Sequence, residues 1–368
     1  MRAEAAIVGN GVGGYACAAK LARHGIRPLL IGRGLPVDRP PLTKSALVKG
    51  APVLLSDEVR LAEHGIDRLD GDVVEADLDA RLLRVGSDAT EVEADAIVLA
   101  TGLRYGTPPI LGIEQAFVNA NPASLEDVSR VLSAGARRIV VIGAGLIGTE
   151  TAATLATAGH DVTVLEVLGR PLDRFHDPLP ALGADALAAT GARFHGGVAI
   201  AELRRDGERV TIDCNLGELR ADLVLAATGG APFAPPGLAD DTIQLPLEVD
   251  TALRVPGRER VHAVGDLIVV PHARFGSMRF PHWDMAIGTG EHAADAIAGM
   301  DGELDRLPYW WSDIGAHTFA EVGWAEAVVE WVDESGMYVG RDAAGEPVAA
   351  LVVDDPRRLR EARALVTE

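Results

Sequence analysis

The chain has 368 residues, room for about two to three domains at roughly 150 residues each and for more than one hydrophobic core. Its 54 acidic side chains outnumber its 34 lysines and arginines, giving a net charge of −20; this argues against general nucleic-acid binding and docking on anionic lipid, which both need a basic face. A hydrophobic content of 48% lies far above disordered composition, and the 41 glycines show no every-third-residue period.

The chain opens Met1-Arg2-Ala3-Glu4 and enters an apolar strand by Ala5. No charged segment, apolar segment and cleavage site precede that strand, so no signal peptide is read there. Glycines or charges interrupt every apolar run well short of the ~18 residues of a membrane span, and the cytoplasm is the expected compartment. Ala5-Ala6-Ile7-Val8 reads as a short buried strand, followed by Gly9-Asn10-Gly11-Val12-Gly13-Gly14 and an alanine-rich helix over residues 15–24. The same grammar returns with a strand at 138–142, then Gly143-Ala144-Gly145-Leu146-Ile147-Gly148, then a helix at 149–158. A second strand over 161–165 ends at Glu166.

Each block has the strand–turn–helix setting that turns a bare G-x-G-x-x-G into a dinucleotide fingerprint. The first glycine makes the tight turn, the second admits a pyrophosphate, and the third lets helix and strand approach closely. The helix N-terminus then presents its positive dipole end to the phosphates. The alternative is two glycine-rich turns without a ligand; the repetition in full context favours dinucleotides.

Residues 96–102 and 223–229 are strands closing on Ala-Thr-Gly, and each follows antiparallel segments at 82–85 and 209–213. A strand at 261–264 delivers Asp266 at its C-terminal end, where ligands bind in open α/β sheets. Proline- and glycine-rich seams fall at 105–112 and 231–237. From Leu307 the character changes: Trp310, Trp311, Trp324 and Trp331 are four of the five tryptophans, among β-rich segments at 325–332, 337–339 and 348–353. Hairpin turns are read at 333–336 and 342–345, and a helix at 356–366. The expected class is α/β, with two Rossmann-like dinucleotide-binding domains and a small C-terminal α+β domain. The boundaries are 1–108 and 234–304 for the first domain, 109–233 for the second and 305–368 for the third. Cys17 and Cys214 form no C-x-x-C, and Cys17, three residues past Gly14 in the first helix, is read as a small buried residue.

Several further stretches carry a family likeness. They are Asp38-Arg39-Pro40-Pro41-Leu42-Thr43-Lys44, Ala100-Thr101-Gly102-Leu103-Arg104, Gly265-Asp266, Arg279-Phe280-Pro281-His282-Trp283-Asp284-Met285-Ala286, Trp310-Trp311-Ser312-Asp313 and Asp355-Pro356-Arg357-Arg358. With the paired fingerprints they make nearly the whole chain resemble FAD-dependent NADH:ferredoxin reductases that serve oxygenases and cytochromes P450. Apoptosis-inducing factor belongs to the same wider group.

The resemblance implies FAD on the first fingerprint, with Gly9, Gly11 and Gly14 around the pyrophosphate. Asp266 would meet the ribityl or pyrophosphate region, and Thr101 and Gly102 would close the unit. Arg39 and Arg104 would offer cations to the phosphates; each is otherwise a solvated charge. Trp283 would lie near the flavin edge or serve as a core aromatic, and His282 holds a position the family uses. Lys44 and Glu150 are the implied chemical centre, a lysine and its glutamate beside the flavin N5, with Glu150 in the first turn of its helix. A lysine there stabilises negative charge on the reduced flavin; an ordinary salt bridge is the alternative. NADH would bind at Gly143, Gly145, Gly148 and Gly229.

An acid is expected about 20 residues past the glycines, to accept the adenosine ribose hydroxyls and repel a 2′-phosphate. Glu166 stands there, favouring NADH over NADPH, with Arg170 near enough to blur the preference. The corresponding point of the first block carries Gly32 and Arg33, without the usual acid. Pro281 and Met285 replace the family's acid and asparagine. The C-x4-C of disulfide-reducing cousins is absent, and no histidine spacing suits a metal.

The implied activity is hydride uptake from NADH and single-electron delivery to a ferredoxin-type iron–sulfur protein feeding an oxygenase or P450. Another acceptor (rubredoxin, a quinone, oxygen or a small organic substrate) is the first alternative, and an NADH-sensing flavoprotein dimer with little turnover the second. The protein is expected as a monomer or homodimer. An acidic ferredoxin would need a local basic patch, for which Arg357, Arg358, Arg360 and Arg363 are the candidates.

Overall fold

The structure is a computed structural model that describes residues 1–367 except 107, 120, 136, 235–237, 239–243 and 301. The predicted seam at 231–237 therefore lies partly outside the described residues. The chain divides into two compact units. The first comprises Met1–Asp38, Leu54–Arg104 and Ala231–Pro308, and the second Arg39–Val53, Tyr105–Gly230 and Tyr309–Glu368.

In the first unit, Arg2–Val8 is the centre of a parallel sheet. Pro28–Gly32 and then Asp67–Asp70 lie on one side of it, and Thr90–Leu99 and then Val261–Ala263 on the other. Ala5, Ala6, Ile7, Leu30, Ile97 and Val98 are essentially inaccessible. Such near-continuous apolar runs are what a sheet covered on both faces demands. Thr90–Leu99 is long enough to pair as well with an antiparallel ribbon of Leu82–Val85 and Val73–Asp77. The helices Val12–Arg23 and Trp283–Ile297 pack closely, for a Cβ at Gly290 would overlap the Gly13 carbonyl oxygen.

The second unit repeats the plan. Phe117–Val118, Leu223–Ala226, Arg138–Ile142, Asp161–Leu165 and Arg193–His195 form a parallel sheet in that order. An antiparallel ribbon of Ile200–Asp206, Arg209–Cys214 and Gly217–Ala221 accompanies it. The same unit includes a five-stranded antiparallel sheet ordered Tyr309–Ile314, His317–Gly323, Pro347–Val353, Met337–Arg341 and Glu330–Asp333. The terminal helix Leu359–Thr367 packs on this sheet through Ala362 and Val366.

Some boundaries move for local reasons. Both fingerprint helices start inside the glycine motif, at Val12 and Leu146, because Gly11 and Gly145 are their N-caps. Glu150 consequently sits in the second turn of its helix rather than the first. The predicted β segment at 325–332 opens as a single 3₁₀ turn, Ala325–Ala327, and only Glu330–Asp333 is strand. Residues 356–358 are likewise 3₁₀, capped where the Asp355 carboxylate accepts the Arg357 N–H at 3.1 Å, and the α-helix follows. Among the described residues no helix is long and apolar enough to cross a membrane.

Candidate functional site

The two glycine turns match in atomic detail. Gly9 N–H donates to the Ile31 carbonyl and Gly143 N–H to that of Leu165, each at 2.8 Å. Ala100 N–H donates to Val8 at 2.8 Å and Ala227 N–H to Ile142 at 2.7 Å, fastening each Ala-Thr-Gly strand end beside its turn. Gly9 and Gly143 have φ of +113° and +102°, a region that glycine alone enters freely. A Cβ at Gly14 would overlap the Gly9 carbonyl oxygen, and one at Gly148 that of Gly143. By contrast nothing lies within 4 Å of a Cβ built at Gly11 or Gly145. Neither helix start receives a side-chain cap. Each turn is therefore packed behind and open in front, with helix N–H groups available to an anion. These cradles fit the pyrophosphates of two dinucleotides.

The ribose ends differ. Glu166 is fixed at its strand end, Oε2 accepting Ala144 N–H at 2.6 Å and Oε1 accepting Leu168 N–H at 2.9 Å. A carboxylate has about four acceptor sites, so lone pairs remain for ribose hydroxyls. Arg170 is committed to Asp173 at 2.6 Å and Asp177 at 3.0 Å, leaving the negative charge of Glu166 to dominate locally. In the first unit a Cβ at Gly32 would come within 2.6 Å of the Asn10 amide. Asn10 Nδ2 donates to the carbonyls of Arg33 (3.1 Å) and Gly34 (2.9 Å). The fingerprint's own asparagine thus fills the space beside Gly32, while Arg33 makes a two-point pair with Asp72.

Apart from Arg39 and Lys44, which belong to the second unit, the remaining flavin-side candidates lie in the first. Gly265 N–H donates to Thr289 Oγ1 at 2.9 Å, and Arg279 Nη1 donates to the carbonyls of Asp266 (2.9 Å) and Ile268 (2.8 Å). Arg279 therefore braces the turn that carries Asp266. Trp283 Nε1 donates to Asp38 Oδ1 at 2.9 Å, joining two of the marker stretches, and burial holds the Asp38 carboxyl above its ordinary range. His282 is the N-cap residue of the helix that Trp283 begins, and Arg306 grips Asp284 at 2.7 and 2.8 Å. Thr101 Oγ1 donates to the Phe233 carbonyl at 2.5 Å, Gly102 accepts Phe233 N–H at 3.0 Å, and the Arg104 guanidinium lies 4.3 Å from the Phe233 ring centre.

In the second unit Arg39 lies 5.4 Å from the centre of the Tyr105 ring. Gly229, with φ +84°, accepts Gly106 N–H at 2.9 Å. Lys44 and Glu150 do meet, Nζ to Oε1 at 3.1 Å, with Glu150 only 7% exposed. Glu150 is saturated: Oε2 accepts the Thr43 hydroxyl, and Oε1 also accepts Asp313 N–H at 2.9 Å and Ser312 Oγ at 3.2 Å. A second carboxylate, Asp313, lies closer to the ammonium, at 2.5 Å. Burial alone would lower the Lys44 pKa, but Glu150 and Asp313 outweigh it and hold the amine above its ordinary value. Burial pushes the Asp313 carboxyl up, and hydrogen bonds from Lys44 and Thr318 more than reverse this.

Thr43, Ser312 and Asp313 were not singled out by the sequence as site residues; the signal that pointed there was their place inside two stretches of family likeness, residues 38–44 and 310–313. On the Tyr309–Ile314 strand, Tyr309 and Trp311 stack at 5.9 Å, Lys44 lies 5.7 Å from the centre of the Trp311 ring and Arg363 4.8 Å from that of Tyr309. Arg358 pairs with Glu361 at 3.1 Å and donates to the carbonyls of Glu334 and Ser335. Of the four terminal arginines only Arg357 and Arg360 are exposed. Cys17 and Cys214 are buried, and burial drives the Cys17 thiol pKa upward.

Paired dinucleotide cradles define a two-nucleotide oxidoreductase fold. Residues 3–290 match the pyridine nucleotide-disulphide oxidoreductase family, and the chain belongs to it. It is 32% identical over 405 residues to the ferredoxin reductase component of chlorobenzene dioxygenase from Cupriavidus sp. (strain PS12), covering all of this chain and 94% of that one. It is 28% identical over 338 residues to human apoptosis-inducing factor 3, covering 87% of this chain but 55% of that protein; the chain thus spans about half of that relative's length. Among solved structures, the ferredoxin reductase for the CYP199A2 system from Rhodopseudomonas palustris superposes with a TM-score of 0.89 at 26% identity, covering 98% of this chain and 93% of that one.

Proposed function

We propose that this protein is an NADH-dependent flavoprotein reductase that delivers single electrons to a ferredoxin-type iron–sulfur protein serving an oxygenase or P450. The observation that carries the reading is the pair of matching glycine cradles, each closed behind by carbonyl oxygen and open in front of an uncapped helix. The overall change is NADH plus two oxidised ferredoxins to NAD⁺, a proton and two reduced ferredoxins. Bound FAD supplies the carrier that takes two electrons together and releases them singly.

The chain's own residues do the rest. Gly9, Gly11 and Gly14 would admit the FAD pyrophosphate, with Asp266 on the turn braced by Arg279. Gly143, Gly145 and Gly148 would admit that of NADH, and Glu166 would accept its adenosine ribose hydroxyls while repelling a 2′-phosphate. Lys44, kept protonated by two carboxylates, is the cation that would favour electron density arriving at the reducing centre. Glu150 would hold it in place. Arg39 and Arg104 would offer the phosphates the in-plane N–H donors that lying over Tyr105 and Phe233 leaves available. The acceptor would dock over the exposed Arg357 and Arg360, and the cytoplasm is the proposed compartment.

The test is NADH oxidation by the purified, flavin-loaded protein with a panel of [2Fe–2S] ferredoxins and cytochrome c as reporter. A ferredoxin-dependent rate is expected. Rapid NADH oxidation that no ferredoxin accelerates, but rubredoxin or a quinone does, would overturn the assigned acceptor and leave the cradles' assignment standing.

A further inference from the structure

We propose that Asp313 is a positioning residue for the Lys44–Glu150 pair, holding the ammonium with its side chain and the glutamate with its backbone. The inference rests on the reading that Lys44 acts at the reducing centre, and it adds a residue that neither fingerprint contains. Tyr309–Ile314 is an edge strand of its sheet, and among the described residues it pairs only with His317–Gly323. Its outward N–H at Asp313 is therefore free of the ladder and donates to Glu150 Oε1 at 2.9 Å. An exposed sheet edge normally has to be covered; here a carboxylate from the second fingerprint helix covers it.

The Asp313 side chain is itself fixed. Thr318, directly opposite in the antiparallel register, donates Oγ1 to Asp313 Oδ1 at 2.6 Å, which leaves Oδ2 for Lys44 at 2.5 Å. The charged groups acting on Lys44 are Glu150 and Asp313, and the Trp311 ring centre lies 5.7 Å from its ammonium. Glu150 is buried while the Asp313 side chain is 40% exposed, so Asp313 is the carboxylate on the solvent side of the ammonium. Lysine is an uncommon cation in this chain. Of the 34 cationic side chains only Lys20, Lys44 and Lys49 are lysines. A lysine is a compact point charge whose pKa responds to neighbours, whereas a guanidinium stays charged throughout.

Three lysines give three ε signals in protein labelled with ¹³C-lysine, and Lys44→Arg identifies one of them by its loss. In the flavin-loaded wild type the Lys44 signal is expected to titrate above the ordinary lysine range. Asp313→Asn keeps the backbone donor to Glu150 and a carbonyl oxygen for Thr318, so flavin content and melting temperature should hold. Its Lys44 midpoint should fall by about one pH unit, and Asp313→Glu should restore most of it. In rapid mixing with NADH, Asp313→Asn should be reduced about tenfold more slowly, roughly 1.4 kcal/mol in barrier, with its alkaline limb moved to lower pH.

An unchanged Lys44 midpoint in Asp313→Asn overturns the inference. So does a slower rate with an unmoved limb and no rescue by Asp313→Glu, which would mark a merely structural role. A shifted midpoint in a protein whose wild type NADH does not reduce would instead sink the functional reading, while Asp313 would still hold Lys44.

Discussion

Glu166 shows how much of a specificity choice a single side chain can carry. Two backbone N–H groups aim its carboxylate at 2.6 and 2.9 Å, and Arg170, the nearby cation that could have welcomed a 2′-phosphate, is paired with Asp173 and Asp177. Glu166→Ala should therefore narrow the ratio of NADH to NADPH efficiency by about tenfold or more, mostly through weaker NADH binding. Initial-rate kinetics with both nucleotides check this, and an unchanged ratio would mean the ribose lies elsewhere. The position of Glu166 at its strand end was legible from spacing alone, because strand and helix lengths fix where an acid must stand. Asp313 was not legible, since the ion pair that gives it meaning joins residues on segments separated by most of the chain. Likewise the missing acid near Gly32 looked like a gap in the sequence; the Asn10 amide occupies the adjacent space.

At the scale of elements, the glycine turns were readable because their requirement is steric and local: a left-handed φ at the first glycine and a closed approach at the third. The strands Tyr309–Ile314 and His317–Gly323 were harder, since Tyr-Trp-Trp-Ser-Asp-Ile mixes aromatics and polar groups on both faces. Buried Trp310, Ser312 and Ile314 nevertheless alternate with Tyr309, Trp311 and Asp313. The same sheet contains a buried acid, Glu321, which accepts Trp310 Nε1 at 3.0 Å. Burial raises its pKa to about 7 from an ordinary 4.5, with a smaller contribution from Glu326. Because the folded form holds this proton more tightly than the unfolded chain, the stabilisation is complete below pH 4.5 and is lost as pH rises toward 7. The loss is roughly 3 kcal/mol. Glu321→Gln abolishes the titration, so its urea midpoint relative to wild type should rise between pH 4.5 and 7 and then level off. A difference that is flat with pH would contradict the buried charge.

For the whole molecule the net charge of −20 has a narrower meaning than a general exclusion of partners. An acidic ferredoxin meets global repulsion, so its encounter depends on a local patch. Arg358 and Arg363 are committed to Glu361 and Tyr309, which leaves exposed Arg357 and Arg360 beside exposed Asp354, Asp355 and Glu361. Arg360→Glu should raise the ferredoxin KM several-fold without changing reduction by NADH; an unaltered KM would move the docking site off this helix.

The two cradles would hold different dinucleotides, FAD on the first and NADH on the second, and paired valine substitutions separate them. Each would push a side chain into the carbonyl that closes its turn. Under anaerobic conditions the visible flavin absorption should be bleached by NADH in the wild type. Gly14→Val should lose the flavin, whereas Gly148→Val should keep it yet resist bleaching at the same NADH concentration. A folded Gly14→Val that retains flavin, or a Gly148→Val that loses it while still binding NADH, would contradict the assignment.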